Sequence, residues 1–237
     1  MASYHLSIKS GKRGKAANHA AYIAREGKYG KNRDLVAMEY GNFPEWATGN
    51  PILYWKMADA HERINGAAYR EFELALPREL TIEQQRDLLD EFICHEIGNK
   101  PYQLAIHAPI AALGAVEQPH AHIMVSDRAP DGINRPPEQH FKRFNPANPE
   151  RGGCKKDSGG KDRATLKEEV KSRRETWAEL QNQFLQMYGH SARVDHRSYQ
   201  ERGIDLDAER HLGHLGIKKM TADDKAQYKA KRQDTQQ

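Results

Sequence analysis

Pro119-His120-Ala121-His122-Ile123-Met124-Val125 is the stretch on which the reading of this chain turns. Successive side chains of a strand point to opposite faces, so His120 and His122 share one face and Ala121, Ile123 and Val125 the other. The aliphatic face suits a core. The imidazole face presents two nitrogen donors close together. Upstream, Tyr102-Gln103-Leu104-Ala105-Ile106-His107 has the same strand character and ends on a third histidine. Two neighbouring strands joined by a short glycine-containing connection would set His107 beside the pair. Three neutral imidazoles leave coordination positions open, as in a metal site that handles substrate rather than one that only braces a fold. On spacing alone a competing reading stays open, a polar strand face exposed to water, because the chain has 12 His.

Around these strands the pattern alternates between helix and strand. Ser3 to Ile8 reads as a strand, Lys9 to Lys15 as a basic glycine-bearing loop, and Ala16 to Lys28 as an alanine-rich helix. The stretch from Tyr29 to Asn50 is mixed and loop-rich. Tyr54 to Asn65 reads as a helix and Tyr69 to Leu76 as a strand. Thr81 with Gln84 forms a capping-box signature, opening a helix whose Ile82, Leu89, Ile93 and Ile97 recur at helical spacing and which Gly98 ends. Asn145 to Arg163, rich in Pro and Gly, reads as a long mobile loop. Leu166, Val170, Trp177, Leu180, Phe184 and Tyr188 mark a long amphipathic helix closed by Gly189, and Ser191 to His196 reads as a short edge strand. Beyond Gly216 the composition predicts a solvated helix or a disordered tail. The fold class is therefore α+β: an antiparallel sheet with helices packed mainly on one face, the other face being left for the site.

The chain has 237 residues, 38% hydrophobic and 30% charged, with a mean hydropathy of -0.92. This is one domain, or one domain with extensions. No apolar run approaches the ~20 residues of a membrane span, and no secretory signal opens the chain. The two cysteines, Cys94 and Cys154, lie in unlike contexts, which points away from a structural disulfide and toward a reducing cytoplasm. The net charge is only +4, but it is unevenly placed. Eleven basic residues against five acidic ones lie between Lys142 and Arg174, and Lys9, Lys12, Arg13 and Lys15 carry no acid among them. Two such segments flanking a metal site suit a polyanionic substrate.

Tyr22 lies in His19-Ala20-Ala21-Tyr22-Ile23-Ala24-Arg25-Glu26-Gly27-Lys28-Tyr29, just after the first basic segment. Its hydroxyl is a nucleophile if a metal polarises the group it attacks. With a phosphodiester, the product conserves the phosphate bond energy and the step can be reversed. A core tyrosine is the structural alternative, and Tyr29 the nearest rival nucleophile. Glu71 and Glu73 share a strand face in Arg70-Glu71-Phe72-Glu73-Leu74-Ala75-Leu76. Either carboxylate, on a strand beside the histidines, would accept a hydrogen bond from a ligand imidazole and fix its tautomer.

Taken together these stretches resemble the nicking domain of the MobA/MobL plasmid mobilisation relaxases, within the HUH endonucleases. The likeness rests on Tyr4-His5-Leu6, Ala21-Tyr22-Ile23 with Arg25-Glu26-Gly27-Lys28-Tyr29, Glu71 to Pro77, Leu104 to Ala108 and Pro119-His120-Ala121-His122. It continues through Phe141 to Asn145, the Trp177 helix, Ala192 to Ser198 and His211-Leu212-Gly213. The resemblance implies a five-stranded antiparallel sheet and a relaxase domain over residues 1–216, with a mobile basic loop near 145–163 and a charged tail at 217–237. It implies strand-specific nicking of DNA at an origin of transfer, a 5′-phosphotyrosine intermediate and later resealing. Tyr22 is then the nucleophile, His107, His120 and His122 hold the metal, and Glu71 is the acidic accessory, with Glu73, two positions on, as the alternative. The implied cofactor is Mg²⁺ or Mn²⁺, although three imidazoles alone would favour zinc or nickel. Implied partners are single-stranded or melted origin DNA, accessory mobilisation proteins and a coupling protein, without membrane insertion. Larger relatives carry primase or helicase domains, so the expectation is a small relaxase or an excised domain. Two alternatives remain: a non-catalytic DNA-binding plasmid-control protein with a structural metal site, and a metal-dependent hydrolase using bound water.

Overall fold

A computed structural model describes residues 3–111, 116–205, 216–217 and 219–234. Five strands, β1 (Leu6–Lys12), β2 (Leu35–Gly41), β3 (Ala67–Ala75), β4 (Tyr102–His107) and β5 (His120–Val125), form one sheet in the order β1-β3-β5-β4-β2. Every pairing is antiparallel. The histidine-bearing β5 is thus the central strand. His107 lies directly across from His120, and Glu73 across from His122 on the other side. The histidine motif at 211–213 falls outside the described residues.

One sheet face is apolar. Phe72 and Leu74 of β3, Leu104 and Ile106 of β4, and Ala121, Ile123 and Val125 of β5 pack there. They meet Leu88, Leu89 and Phe92 of α3 (Ile82–Phe92) and Trp177, Leu180 and Leu185 of α5 (Arg163–Met187). Both halves of the Thr81–Gln84 capping box form, and α3 runs into a π turn at Ile93–Ile97 before Gly98 ends it at φ 60. The second face, expected to lie open, is half covered. Tyr69, Ala105 and Met124 pack there against α1 (Ala16–Ile23) and α2 (Pro51–His61), with Phe141 just after the short α4 (Pro137–His140). The site takes the rest of that face.

α1 stops at Ile23 rather than Lys28 and α2 runs from Pro51 to His61 rather than from Tyr54 to Asn65, and three further differences from the sequence reading concern strands. β1 continues to Lys12, so the supposed loop glycine Gly11 lies inside a strand. A Cβ there would stand 1.9 Å from the Tyr69 ring, so only glycine admits that close approach. β2 is an edge strand where the sequence suggested loops. Its alternation is masked because Val36, Met38 and Tyr40 are apolar yet exposed. Residues 191–196 form no strand; the backbone of Val194 instead exchanges two hydrogen bonds with the Asn182 side chain.

What fixes α1 matters most for the site. Lys15 at its N-cap supplies no capping side chain. Asp59 of α2 does so from a distance, accepting from the backbone N–H of Gly14 (2.7 Å), Ala16 (2.9 Å) and Ala17 (2.9 Å). Arg13 returns the favour by donating to the carbonyls of Asp59 and Ala60 near the end of α2. Beneath the helix, buried Gln103 of β4 accepts from Trp55 Nε1 at 2.9 Å and donates to Ala20 O at 3.2 Å. The buried stripe Ala16, Ala20, Ile23 is small at its first two positions, which lets the helix settle on the sheet, and Ile23 anchors its end.

The chain divides into two units, residues 1–108 with 119–196, and 109–118 with 197–237. The first holds the sheet and everything described above. In the second, Ile110 and Glu117 bridge antiparallel, and α6 (Ala222–Asp234) opens on Thr221, whose hydroxyl and backbone both engage Asp224. Among the described residues, no helix is long and apolar enough to cross a membrane.

Asp59→Ala should destabilise the fold by about 1–2 kcal/mol, the scale of a lost helix cap; urea melts measure it, and an unchanged midpoint would contradict the capping role. Buried His140 touches the Tyr54 hydroxyl (3.3 Å) and Cys154 Sγ (3.4 Å), and burial, helped by the charges of Arg128 and Arg135, lowers its pKa to about 4. An unfolded histidine titrates near 6.5, so the unfolded chain binds the proton first and stability should fall as pH drops from about 6.5 toward 4. His140→Gln should make that fall shallower in melts taken at several pH values, with buried His107, whose pKa is also lowered, supplying the remainder.

Candidate metal centre and nucleophile

His107, His120 and His122 offer ligand nitrogens that all lie within 4.8 Å of one another. Their ring centroids are 5.0 to 5.5 Å apart. The alternation of β5 and the β4–β5 register bring them together, as the sequence predicted. His107 is fully buried and His122 nearly so, while His120 is partly exposed. Burial holds the His107 pKa down to about 4, so its ring is neutral near pH 7.

Glu71 is the carboxylate that reaches this cluster. Its Oε1 accepts from His122 Nδ1 at 2.8 Å and from His19 Nε2 at 2.7 Å. Burial pushes the Glu71 pKa up, but these two donors outweigh it and bring the net value down to about 2. An ionised Glu71 fixes the His122 tautomer with Nδ1–H toward itself and the Nε2 lone pair free for a cation. Glu73 goes elsewhere, to Lys9 Nζ at 2.5 Å. Face sharing along β3 could not separate the two. The cross-strand partner of His122 is Glu73, yet the bond is made diagonally to Glu71.

Tyr22 is half-buried on α1, with its ring edge-on to Tyr29 at 5.2 Å. The Tyr29 hydroxyl turns to Asn18, at 3.2 Å. After Tyr22 the helix closes on Arg25, a non-glycine residue at φ 55. Glu26 N–H bonds Ala21 O and Arg25 N–H bonds Tyr22 O, as in a Schellman cap. The strained Arg25 is held by its guanidinium. It donates twice to Asp34 at 2.8 Å, once to Tyr22 O at 2.9 Å, and reaches His107 Nδ1 at 3.1 Å while lying 4.7 Å from the Tyr22 ring centre. The Arg25 guanidinium keeps the Asp34 pKa down at about 2. His107 Nε2–H donates to Ile23 O at 2.7 Å, so the sheet grips α1 through the same ring. A cation at the three histidines competes with Arg25 for the His107 Nδ1 lone pair; Asp34 and Tyr22 O keep the guanidinium in place. The donor set otherwise fits a divalent ion: three clustered imidazoles, one neutral through burial and one oriented by a carboxylate.

His19, Arg25 and Asp34 were not singled out by sequence reasoning. The available signal was helical spacing for His19, three residues before Tyr22; Arg25 and Asp34 lie past the end of the helix, where that spacing does not hold. The basic segments also sort themselves. Lys9, Arg13, Lys156, Lys161 and Arg173 are engaged with acidic groups or carbonyls. Lys12, Lys15, Lys142, Arg143, Arg151 and Lys155 are exposed. The last four sit on paired segments, where His140 O accepts from Cys154 N–H and Arg143 O from Gly153 N–H. Two buried arginines pin those segments. Arg128 donates to the carbonyls of Phe141, Lys142 and Cys154, and Arg135 to those of Pro149 and Gly152.

Residues 13–222 match the MobA/MobL family. The chain is 51% identical over 210 residues to the 43 kDa relaxation protein of Salmonella typhimurium, covering 87% of this chain and 57% of that protein. It is 45% identical over 219 residues to Mobilization protein A of Escherichia coli, covering 90% of this chain and 30% of that protein. A solved structure described under "Molecular Basis of Vancomycin Resistance Transfer in Staphylococcus aureus" aligns with a TM-score of 0.61 at 23% identity, over 84% of this chain and 100% of that one. That likeness shows a shared fold.

Glu71→Ala should weaken Mn²⁺ binding by roughly 10- to 100-fold, the usual cost of losing a carboxylate behind a ligand histidine, while Glu73→Ala should change it little. Isothermal titration of both variants decides between the two carboxylates; equal losses would contradict the assignment.

Proposed function

The chain belongs to the MobA/MobL family, and from that premise and the site geometry we propose that it is a DNA relaxase acting at a plasmid origin of transfer. The observation that carries the reading is the seating of the Tyr22 helix on the histidine cluster, through His107 to Ile23 O and His19 to Glu71. The chain spans 57% and 30% of the two relatives above, so it corresponds to a part of them. Residues 1–216 are assigned to the nicking domain and 217–237 to a charged tail.

In the proposed reaction the Tyr22 phenol oxygen attacks a backbone phosphorus. A phosphorus–oxygen bond forms to tyrosine, the bond to the 3′ oxygen breaks, and the upstream strand leaves with a 3′ hydroxyl. The 5′ phosphate stays on Tyr22, and attack by a 3′ hydroxyl reverses the step. His107, His120 and His122 would hold Mg²⁺ or Mn²⁺, which when bound supplies Lewis-acid stabilisation of charge on the phosphoryl oxygens. Glu71 holds His122 in the ligating tautomer. Arg25 caps the nucleophile's helix and lies against the phenol ring. The exposed Lys142, Arg143, Arg151 and Lys155, on a ribbon pinned by Arg128 and Arg135, supply salt-dependent affinity for phosphates, and base contacts supply sequence choice. The substrate is single-stranded or melted origin DNA, since in-line attack needs an unpaired backbone. Accessory mobilisation proteins and a coupling protein are the proposed partners, and the cytoplasm the proposed compartment.

Incubation with origin oligonucleotides and Mn²⁺, resolved on denaturing gels, tests the reading. Wild type should give a protein–DNA adduct that EDTA prevents; Tyr22→Phe should abolish it while leaving DNA binding nearly intact. Cleavage that survives Tyr22→Phe with a free 5′ phosphate would point to hydrolysis instead. Binding without any metal-dependent nick would point to a non-catalytic DNA-binding protein.

A further inference from the structure

We propose that His19 is a positioning residue that ties the nucleophile's helix to the metal-binding histidines through Glu71. The inference rests on the transesterase reading above and adds a residue to it. One oxygen, Glu71 Oε1, is the meeting point: His122 Nδ1 reaches it from the central strand at 2.8 Å and His19 Nε2 from α1 at 2.7 Å. Glu71 itself is 4% exposed, so a carboxylate oxygen away from water carries both bonds. Each donor then constrains where the other can sit.

The His19 ring is further fixed by its faces. It lies nearly parallel to Tyr69, at 5.2 Å and 12°, and to Tyr22, at 5.8 Å and 28°. Tyr69 takes its place because Gly11 has no Cβ to obstruct the ring. Gly11, Tyr69, His19 and Tyr22 thus form a stack leading from the edge strand to the nucleophile. The His19 side chain is 23% exposed, so most of it is covered, with the Tyr69 and Tyr22 rings beside it. Its bond and its stacking are the contacts that distinguish it from any other residue at this point of α1.

Loss of His19 should act on two observables. Glu71 loses one of the two donors that orient it, which loosens its hold on His122 and lowers metal affinity. Tyr22 loses the ring beside it and the tether of its helix, which slows the chemical step and leaves DNA binding alone. Three variants separate the bond from the stack. His19→Ala removes both, His19→Gln keeps a donor, and His19→Phe keeps a ring.

Titration of the full chain with Mn²⁺ alone reads the metal arm. Single-turnover cleavage of an origin oligonucleotide, as a function of DNA concentration, reads the chemical arm. Thermal melts confirm that each variant folds. For His19→Ala, Mn²⁺ affinity should fall about tenfold, at the low end for groups behind a ligand. The limiting cleavage rate should fall at least as far, with half-saturating DNA changed less than about twofold, since a step lost only in the transition state lowers the rate and not the binding. His19→Gln should recover most of the metal affinity and His19→Phe should not. Wild-type Mn²⁺ affinity in folded His19→Ala, or equal affinity in the Gln and Phe variants, would overturn the tether. Failure of wild type to form a Tyr22 adduct would overturn the transesterase reading while the Mn²⁺ arm still judged the tether.

Discussion

A helix seated on one half of a sheet face, beside the polar half that holds the histidines, is the constraint on which the rest depends. Ala16, Ala20 and Ile23 let α1 approach closely, and two β4 side chains reach up to catch its carbonyls: Gln103 holds Ala20 O and His107 holds Ile23 O. Asp59 closes the N-terminus and the Arg25 turn closes the C-terminus. The helix is thereby fixed at both ends and along its underside, so backbone placement sets where Tyr22 stands.

The polar groups on this face do more than one thing each. His107 is at once a candidate ligand, the donor to α1 and the acceptor for Arg25. Glu71 serves His122 and His19 together. Such sharing satisfies buried polar atoms that would otherwise be costly, and it couples the helix that carries Tyr22 to the three clustered histidines. Disturbance of one member should therefore be felt by the others, and single substitutions here are not expected to add.

Much of this was legible in the sequence because it follows from period. The alternation of His120 and His122 with aliphatic residues fixed their common face, and the apolar run ending at His107 placed the third ring. The capping box at Thr81 and the Trp177 stripe announced α3 and α5. Other features are tertiary and leave little local trace. Asp59 caps a helix more than forty residues away. The choice of Glu71 over Glu73 depends on diagonal reach across a sheet, with Lys9 taking the other carboxylate. β2 was missed because its exposed side carries Val36, Met38 and Tyr40. The helices on the second face were not foreseen because the small packing residues of α1 mark a helix that can approach a sheet closely without saying which face of the sheet it covers.

Peptide mapping of a DNA–protein adduct by mass spectrometry examines the central claim most directly. After cleavage of an origin oligonucleotide in Mn²⁺ and digestion of both components, the remaining 5′-phosphonucleotide should be found on the peptide containing Tyr22, with fragmentation placing it on that side chain. A nucleotide on Tyr29, on any other residue, or on none despite a nicked strand would contradict it.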